Sequence, residues 1–226
     1  MPTAPDTTFD FAGRPVGPDH PPLVIAEISA NHLGHIDRAI ASIEAAAACG
    51  ADAIKIQTYT PDTITIDHDG PGFVIEGGLW DGRSLHELYR EAHTPFEWHG
   101  ELFARARELG VPLFSTPFDH TAVDLLQSLD APAYKIASFE IPDLPLIARV
   151  ARTGKPMIMS TGMANLAEIH DAVRTARENG VGGLAVLHCL SSYPAPMDEA
   201  DLRTVPHLAE AFHAVAGLSD HTPGTA

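Results

Sequence analysis

Basic residues are scarce in this chain. Its 226 residues include 14 Lys and Arg against 30 Asp and Glu, a formal net charge of −16. Nucleic acid and anionic membrane surfaces both require clustered positive charge, so neither is expected as a partner. Cysteine is scarcer still. The two present, Cys49 and Cys189, are too few for a disulfide framework, and no Cys-x-x-Cys pair is there to hold zinc. Both read as small apolar fillers in a reducing compartment. No apolar run reaches the roughly 18 residues of a membrane span, and no basic segment followed by an apolar stretch opens the chain. The first apolar run is not followed by a Gly-x-Gly-x-x-Gly turn, which weighs against a dinucleotide-binding sheet. The expectation is a soluble cytoplasmic protein. Any anionic substrate must then be held by a few local cations, by a metal, or by backbone N–H groups.

What is present is a repeated unit in a sequence that is 45% hydrophobic, enough for a substantial core. After a Pro- and Asp-rich stretch (1–22), read as an N-terminal arm, come seven strand candidates: "LVIAEI" (23–28), "AIKIQTY" (53–59), "VPLFSTP" (111–117), "YKIAS" (134–138), "PMIMST" (156–161), "LAVLHC" (184–189) and "AVAGLSD" (214–220). Helical spacing of apolar residues fills 37–49, 96–109, 120–129, 143–152, 165–179 and 202–213. Gly50, Gly110, Gly154 and Gly180 stand at helix exits. The strand candidates are apolar throughout rather than alternating, as expected of parallel strands covered by helices. Successive βα units favour an α/β fold of the (β/α)8 TIM-barrel type over an open sheet. A long insertion, 60–94, carries an amphipathic stripe of Leu85, Leu88, Tyr89 and Ala92, and Thr94-Pro95 reads as N-cap and first residue of the next helix. Such a barrel usually runs to about 250 residues with eight strands, so the barrel domain, 23–226, is expected to lack its last unit.

In this architecture chemistry gathers at the C-terminal strand ends. Those positions hold Glu27, Asn31 and His32; Lys55, Gln57 and Tyr59; Ser115 and Thr116; Lys135, Ser138 and Glu140; Ser160 and Thr161; His188, Ser191 and Tyr193; and Ser219, Asp220 and His221. The period of two sets Lys55 and Gln57 opposite Ile54 and Ile56, so the lysine points inward, and Lys135 repeats the pattern. A buried ammonium needs an anion, either a protein carboxylate such as Glu27 or Glu140 or a ligand phosphate. The hydroxyls of Thr116, Ser138, Ser160 and Ser219 add neutral donors for a phosphate or a carboxylate. Glu27 and Glu140 are each candidate acid/base or counter-ion. His221 is a candidate metal ligand, base, or packed histidine. His35, His68, His86, His170, His207 and His213 are assigned to the surface.

The segments "IAEISANHLG", "IKIQTYT", "FSTPFD", "YKIASFEI", "MIMSTGMA", "LHCLSSYPAP" and "GLSDHT", in this order, resemble the sialic acid synthase family. The resemblance runs from about Pro22 to the end. "GLWDG" (78–82) and "YKIASFEI" are most similar to its pseudaminic acid synthase branch.

The resemblance implies condensation of phosphoenolpyruvate with an N-acetylated amino sugar, here 2,4-diacetamido-2,4,6-trideoxy-altrose, to a nonulosonic acid and phosphate by C–O cleavage. It implies phosphoenolpyruvate contacts at Lys55, Thr116, Lys135, Ser138, Ser160 and Ser219, and positions near the sugar at Gln57 and Tyr193. Ser191 stands where the neuraminate branch has an asparagine contact. Glu27 and Glu140 match the acidic positions, with Lys135 also in the catalytic set. His221 matches one of two histidines that hold a divalent ion, usually Mn2+, with Mg2+ or Co2+ as alternatives. The second histidine, the eighth strand and a C-terminal antifreeze-like domain are expected beyond residue 226. The full-length protein is expected to be a domain-swapped homodimer serving cell-surface glycan synthesis. Alternatives are an N-acetylneuraminate or legionaminate synthase, a Schiff-base aldolase using Lys55 or Lys135, and an inactive truncated remnant.

Overall fold

Folding begins earlier in the chain than the arm assignment predicts. The computed structural model describes residues 7–77 and 80–224; Gly78 and Leu79 of "GLWDG" lie outside the described residues. Strands β1 (Phe9–Phe11) and β2 (Arg14–Val16) form an antiparallel hairpin. Its connection, Ala12-Gly13, has both residues at positive φ (52° and 87°), as a two-residue type I′ turn requires, and the Gly13 N–H donates to Asp10 Oδ1 at 2.9 Å. Phe9, Phe11 and Val16 are buried, so the apolar alternation of "FDFAGRPV" is a strand signal. A Cβ on Gly183 would lie 2.5 Å from Phe9 Cβ and Cγ; only glycine lets the hairpin approach that closely.

Residues 24–131 form one unit. It contains β3 (Ile25–Glu27), α1 (Ile36–Ala48), β4 (Ala53–Thr58), α2 (Pro61–Ile64), α3 (Leu85–Ala92), α4 (Phe96–Glu108), β5 (Leu113–Pro117) and α5 (His120–Ser128). The strands are parallel, with Glu27 opposite Lys55 and Gln57 opposite Thr116. Ile43, Ile54, Leu102, Phe114 and Leu126 are wholly buried and make the core between strands and helices. Helix α3 starts at a capping box of Ser84 and Glu87, and α5 at Asp119, whose carboxylate accepts from the Ala122 N–H. Helix α4 starts one residue later than expected. Pro95 is its N-cap and Phe96 its first residue. The Thr94 hydroxyl is occupied elsewhere, accepting from His32 Nε2–H at 3.2 Å.

The second unit comprises the hairpin segment and residues from 132 onward. It contains β6 (Tyr134–Ile136), α6 (Leu144–Ala151), β7 (Pro156–Ser160), α7 (Leu166–Glu178), β8 (Gly183–Cys189), α8 (Thr204–Phe212) and β9 (Val215–Ser219). These strands too are parallel, with Tyr134 opposite Met157, Ser160 opposite Leu187 and Cys189 opposite Ser219. Tyr134, Ile136, Ile147, Met157, Met159 and Val186 form its core. Asp143 caps α6, and Asn165 caps α7 in a box with Glu168. The four glycines expected at helix exits, Gly50, Gly110, Gly154 and Gly180, have φ of 84°, 70°, 70° and 86°, left-handed values that end the helices.

The class is therefore α/β. Seven parallel strands, each expected from the sequence, alternate with helices in the manner of a (β/α)8 barrel, and no eighth is seen among the described residues.

Candidate active site

The strand ends of residues 24–131 bring together Glu27, Lys55 and Thr116. In β4, Ile54 and Ile56 are fully buried while Lys55 and Gln57 between them are only half-buried, so the alternation read from the sequence is the one observed. Lys55 is ion-paired with Glu27 and donates to Thr116 Oγ1 at 3.5 Å. Of the two kinds of anion expected for this lysine, the protein carboxylate is present. Glu27 also accepts the Ser29 N–H at 2.8 Å, which fixes its carboxylate at the exit of β3. Gln57 pairs in register with Thr116. Beneath them, the Thr58 hydroxyl bridges His99 Nε2 at 2.8 Å and Ser115 Oγ at 2.6 Å. Burial lowers the proton affinity of His99, and its Nδ1–H donates to the Pro95 carbonyl.

His32 is almost fully buried against Trp98 and Thr94. It is a packed histidine, with proton affinity lowered by burial and then by His93. Tyr59 is likewise core, edge-on to Tyr89 and Phe118. His86, assigned to the surface from sequence, is buried. It bonds Asp62 Oδ1 through Nε2 at 2.8 Å and accepts from Arg90 at Nδ1 at 2.9 Å.

The second unit holds a denser cluster. Lys135 is buried at the end of β6 and donates to Ser160 Oγ at 2.5 Å and to the Ile136 carbonyl at 3.0 Å. An ammonium has three N–H donors, so one is left for a ligand. Burial pushes Lys135 down to about 8, against the pull of negative charge on Cys189 and Glu140. Burial pushes Glu140 up to about 7, with Lys135 opposing. Its Oε2 is buried and has no hydrogen-bond partner among the described residues. Ser138, on the one-turn helix that follows β6, accepts the Gly162 N–H at 3.1 Å.

Cys189 ends β8, and its Sγ lies 3.7 Å from the Ser191 hydroxyl. Burial alone would raise its thiol, but its polar neighbours His221, Ser138, Ser191 and Ser219 outweigh burial and hold the thiol at about 6. His221 in turn is raised, chiefly by Cys189. Its Nδ1–H donates to the Leu190 carbonyl at 3.0 Å, which leaves Nε2 as the other ring nitrogen facing the site. The ring lies 4.3 Å from that of Tyr193, which is exposed at the rim. His188 does not join this group; its Nε2–H donates to the Ala200 carbonyl.

Of the residues expected at the site, Lys135, Ser138, Glu140, Ser160, Ser191, Ser219 and His221 converge in this unit, with Tyr193 over His221. Cys189, expected as an apolar filler, has polar neighbours instead. The available signal was positional, since it ends its strand as Ser160 and Ser219 end theirs.

A model of the NeuB family matches residues 42–226. The chain belongs to the NeuB family. Pseudaminic acid synthase from Helicobacter pylori is 46% identical over 205 residues, covering 91% of this chain and 60% of the relative. This NeuB-family chain thus spans less than two thirds of that relative's length. Among solved structures, the spore coat polysaccharide biosynthesis protein SpsE of Bacillus subtilis is 40% identical with a TM-score of 0.79, covering 95% of this chain and 57% of that one. The N-acetylneuraminic acid synthetase of Leptospira borgpetersenii is 28% identical with a TM-score of 0.84, covering 96% and 71%.

A resident metal needs several donors converging on one point. Among the described residues no group of three or more His, Cys, Asp or Glu does so. His221 therefore stands without two further such donors around it, and the described residues do not by themselves fit a resident ion.

Proposed function

We propose that the protein condenses phosphoenolpyruvate with an N-acetylated amino sugar to give a nonulosonic acid and phosphate. The observation that carries this reading is the buried Lys135. It donates to the Ser160 hydroxyl with a donor to spare, and belongs to a chain 46% identical to a pseudaminic acid synthase. An ammonium with a free N–H, flanked by hydroxyl donors, suits the phosphate and carboxylate of a three-carbon donor. The acceptor is proposed to be 2,4-diacetamido-2,4,6-trideoxy-altrose and the product pseudaminic acid, with N-acetylneuraminate and legionaminate precursors as the competing acceptors. A divalent ion held in part by His221, Mn2+ first among candidates, is proposed as cofactor of the whole protein.

In this reaction C3 of phosphoenolpyruvate forms a bond to the aldehyde carbon of the open-chain sugar, leaving C2 electron-poor. Water adds at C2, and the C2–O bond to phosphate breaks, releasing phosphate. Lys135 neutralises donor charge and holds the enol face toward the aldehyde. Glu140, poised near neutrality and with one oxygen unpartnered, is placed to move a proton to the new hydroxyl or from the attacking water.

The test is isotopic. Phosphoenolpyruvate with 18O in its bridging position is incubated with the protein and each of the three amino sugars. The label is expected in released phosphate, with solvent oxygen at C2 of the product and the altrose acceptor fastest. Label retained in the sugar acid, or no product with any acceptor, overturns the reading. One observation favours a second: the lowered proton affinity of Lys135 also suits an imine-forming amine. Borohydride trapping in the presence of pyruvate decides it, because a covalent adduct on Lys135 would establish the aldolase instead.

A further inference from the structure

We propose that His99 is a positioning residue: acting through Thr58 and Ser115, it fixes β4 against β5 and so places Lys55 and Gln57 relative to Thr116. This role rests on the condensation proposed above, for which Lys55 and Thr116 offer an anion an ammonium and a hydroxyl. His99, Thr58 and Ser115 are wholly buried, yet none is apolar. The period of two sets Thr58 on the face of β4 opposite Gln57, and Ser115 on the face of β5 opposite Thr116. Ile56 pairs with Ser115, and Gln57 with Thr116. The three polar groups therefore lie directly behind the strand ends that carry Lys55, Gln57 and Thr116.

Proton inventory gives the chain a direction. The His99 Nδ1–H donates to the Pro95 carbonyl at 3.0 Å, and burial favours the neutral ring. Nε2 is then an acceptor and takes the Thr58 hydroxyl proton at 2.8 Å. Thr58 Oγ1 accepts in turn from Ser115 at 2.6 Å. One ring thus ties helix α4 to both strands. Apolar side chains would fill this layer without a desolvation cost, so burial alone does not call for a polar chain. Hydrogen bonds add geometry, because they weaken steeply with distance and angle. On the other face Lys55 reaches Thr116 Oγ1 only at 3.5 Å, a contact that a small slide of β5 along β4 breaks.

His99→Leu removes both ring nitrogens yet orphans no buried group. Thr58 then donates to Ser115, Ser115 to the Ile56 carbonyl 3.1 Å away, and the Pro95 carbonyl keeps the Trp98 N–H. The urea midpoint is expected to hold, while kcat/KM for phosphoenolpyruvate falls about 10- to 10²-fold, the scale of a misplacement of about 1 Å. His99→Gln, whose amide oxygen can accept from Thr58, is expected to restore most of the loss. Equal losses in the two variants overturn the proposal, as does a Leu variant that keeps full activity or loses it only in step with its urea midpoint.

Threonine methyl NMR supplies a readout independent of turnover. The Thr116 methyl resonance, from the face away from His99, is expected to shift in His99→Leu together with that of Thr58, and to return in His99→Gln. A shift confined to Thr58 overturns the positioning role. Where the parent protein turns over no phosphoenolpyruvate, the functional reading falls, and the methyl pattern alone decides the role of His99.

Discussion

Lys135 and Ser160, neighbours at the ends of adjacent parallel strands, are joined by a 2.5 Å hydrogen bond from ammonium to hydroxyl. No carboxylate forms an ion pair with this lysine among the described residues, whereas Lys55 is paired with Glu27. Two lysines with the same sequence signature thus have different electrostatic circumstances. The one without an ion-pair partner is the better anchor for an anionic ligand.

Replacing Lys135 by Met should lower kcat/KM for phosphoenolpyruvate by about 10²–10³-fold, the usual effect of removing one well-placed electrostatic group. Burying an ammonium is costly, so the urea midpoint should hold steady or rise. A variant that loses stability along with activity would reduce Lys135 to a structural role.

Glu140 titrates at about 7 against its ordinary 4.5. The fold thus favours the protonated carboxyl. That contribution is complete below pH 4.5 and is lost as pH rises through 7. The Glu140→Gln variant keeps the neutral form at every pH. Its stability advantage over the parent should grow between pH 4.5 and 7.5, by up to on the order of 3 kcal/mol. Lys135, lowered from 10.5 to about 8, works in the opposite sense; its contribution is complete above pH 10.5 and is lost as pH falls through 8. Urea unfolding across the pH series measures both, and a difference that stays flat between pH 4.5 and 7.5 contradicts the burial of Glu140.

Gly183→Ala should destabilise the protein by about 1–3 kcal/mol through overpacking against Phe9. In the Phe9→Ala background the same change should cost much less. Additive losses in this double-mutant cycle would show that the hairpin does not rest on Gly183.

His86→Ala removes the bonds of a buried ring to the exposed Asp62 and Arg90, at a cost of about 1 kcal/mol. Hydrogen exchange should quicken in 61–92 while β6 to β9 stay protected. Uniform quickening would mean that the insertion is not separately held.

Helix limits were legible because they are set by neighbours in the chain. The expected 120–129, 143–152 and 165–179 are observed as His120–Ser128, Leu144–Ala151 and Leu166–Glu178, each opened by the Asp or Asn that caps it. The seven strands were legible from short apolar runs, each ending in polar residues. What escaped was non-local. The hairpin in the arm is stable because Gly183, far along the chain, admits Phe9. His86 is buried because Asp62 lies 24 positions upstream.

Taken by itself, the order of residues determined the α/β class, the succession of strands and the family, since capping, periodicity and motif order are properties of adjacent positions. Only tertiary structure decided that Lys55 has a carboxylate partner, that Lys135 keeps a donor for a ligand, and that Cys189 faces hydroxyls instead of hydrocarbon. A side chain's proton affinity and reactivity depend on what surrounds it within a few ångströms, and those surroundings are brought together only when distant strand ends meet.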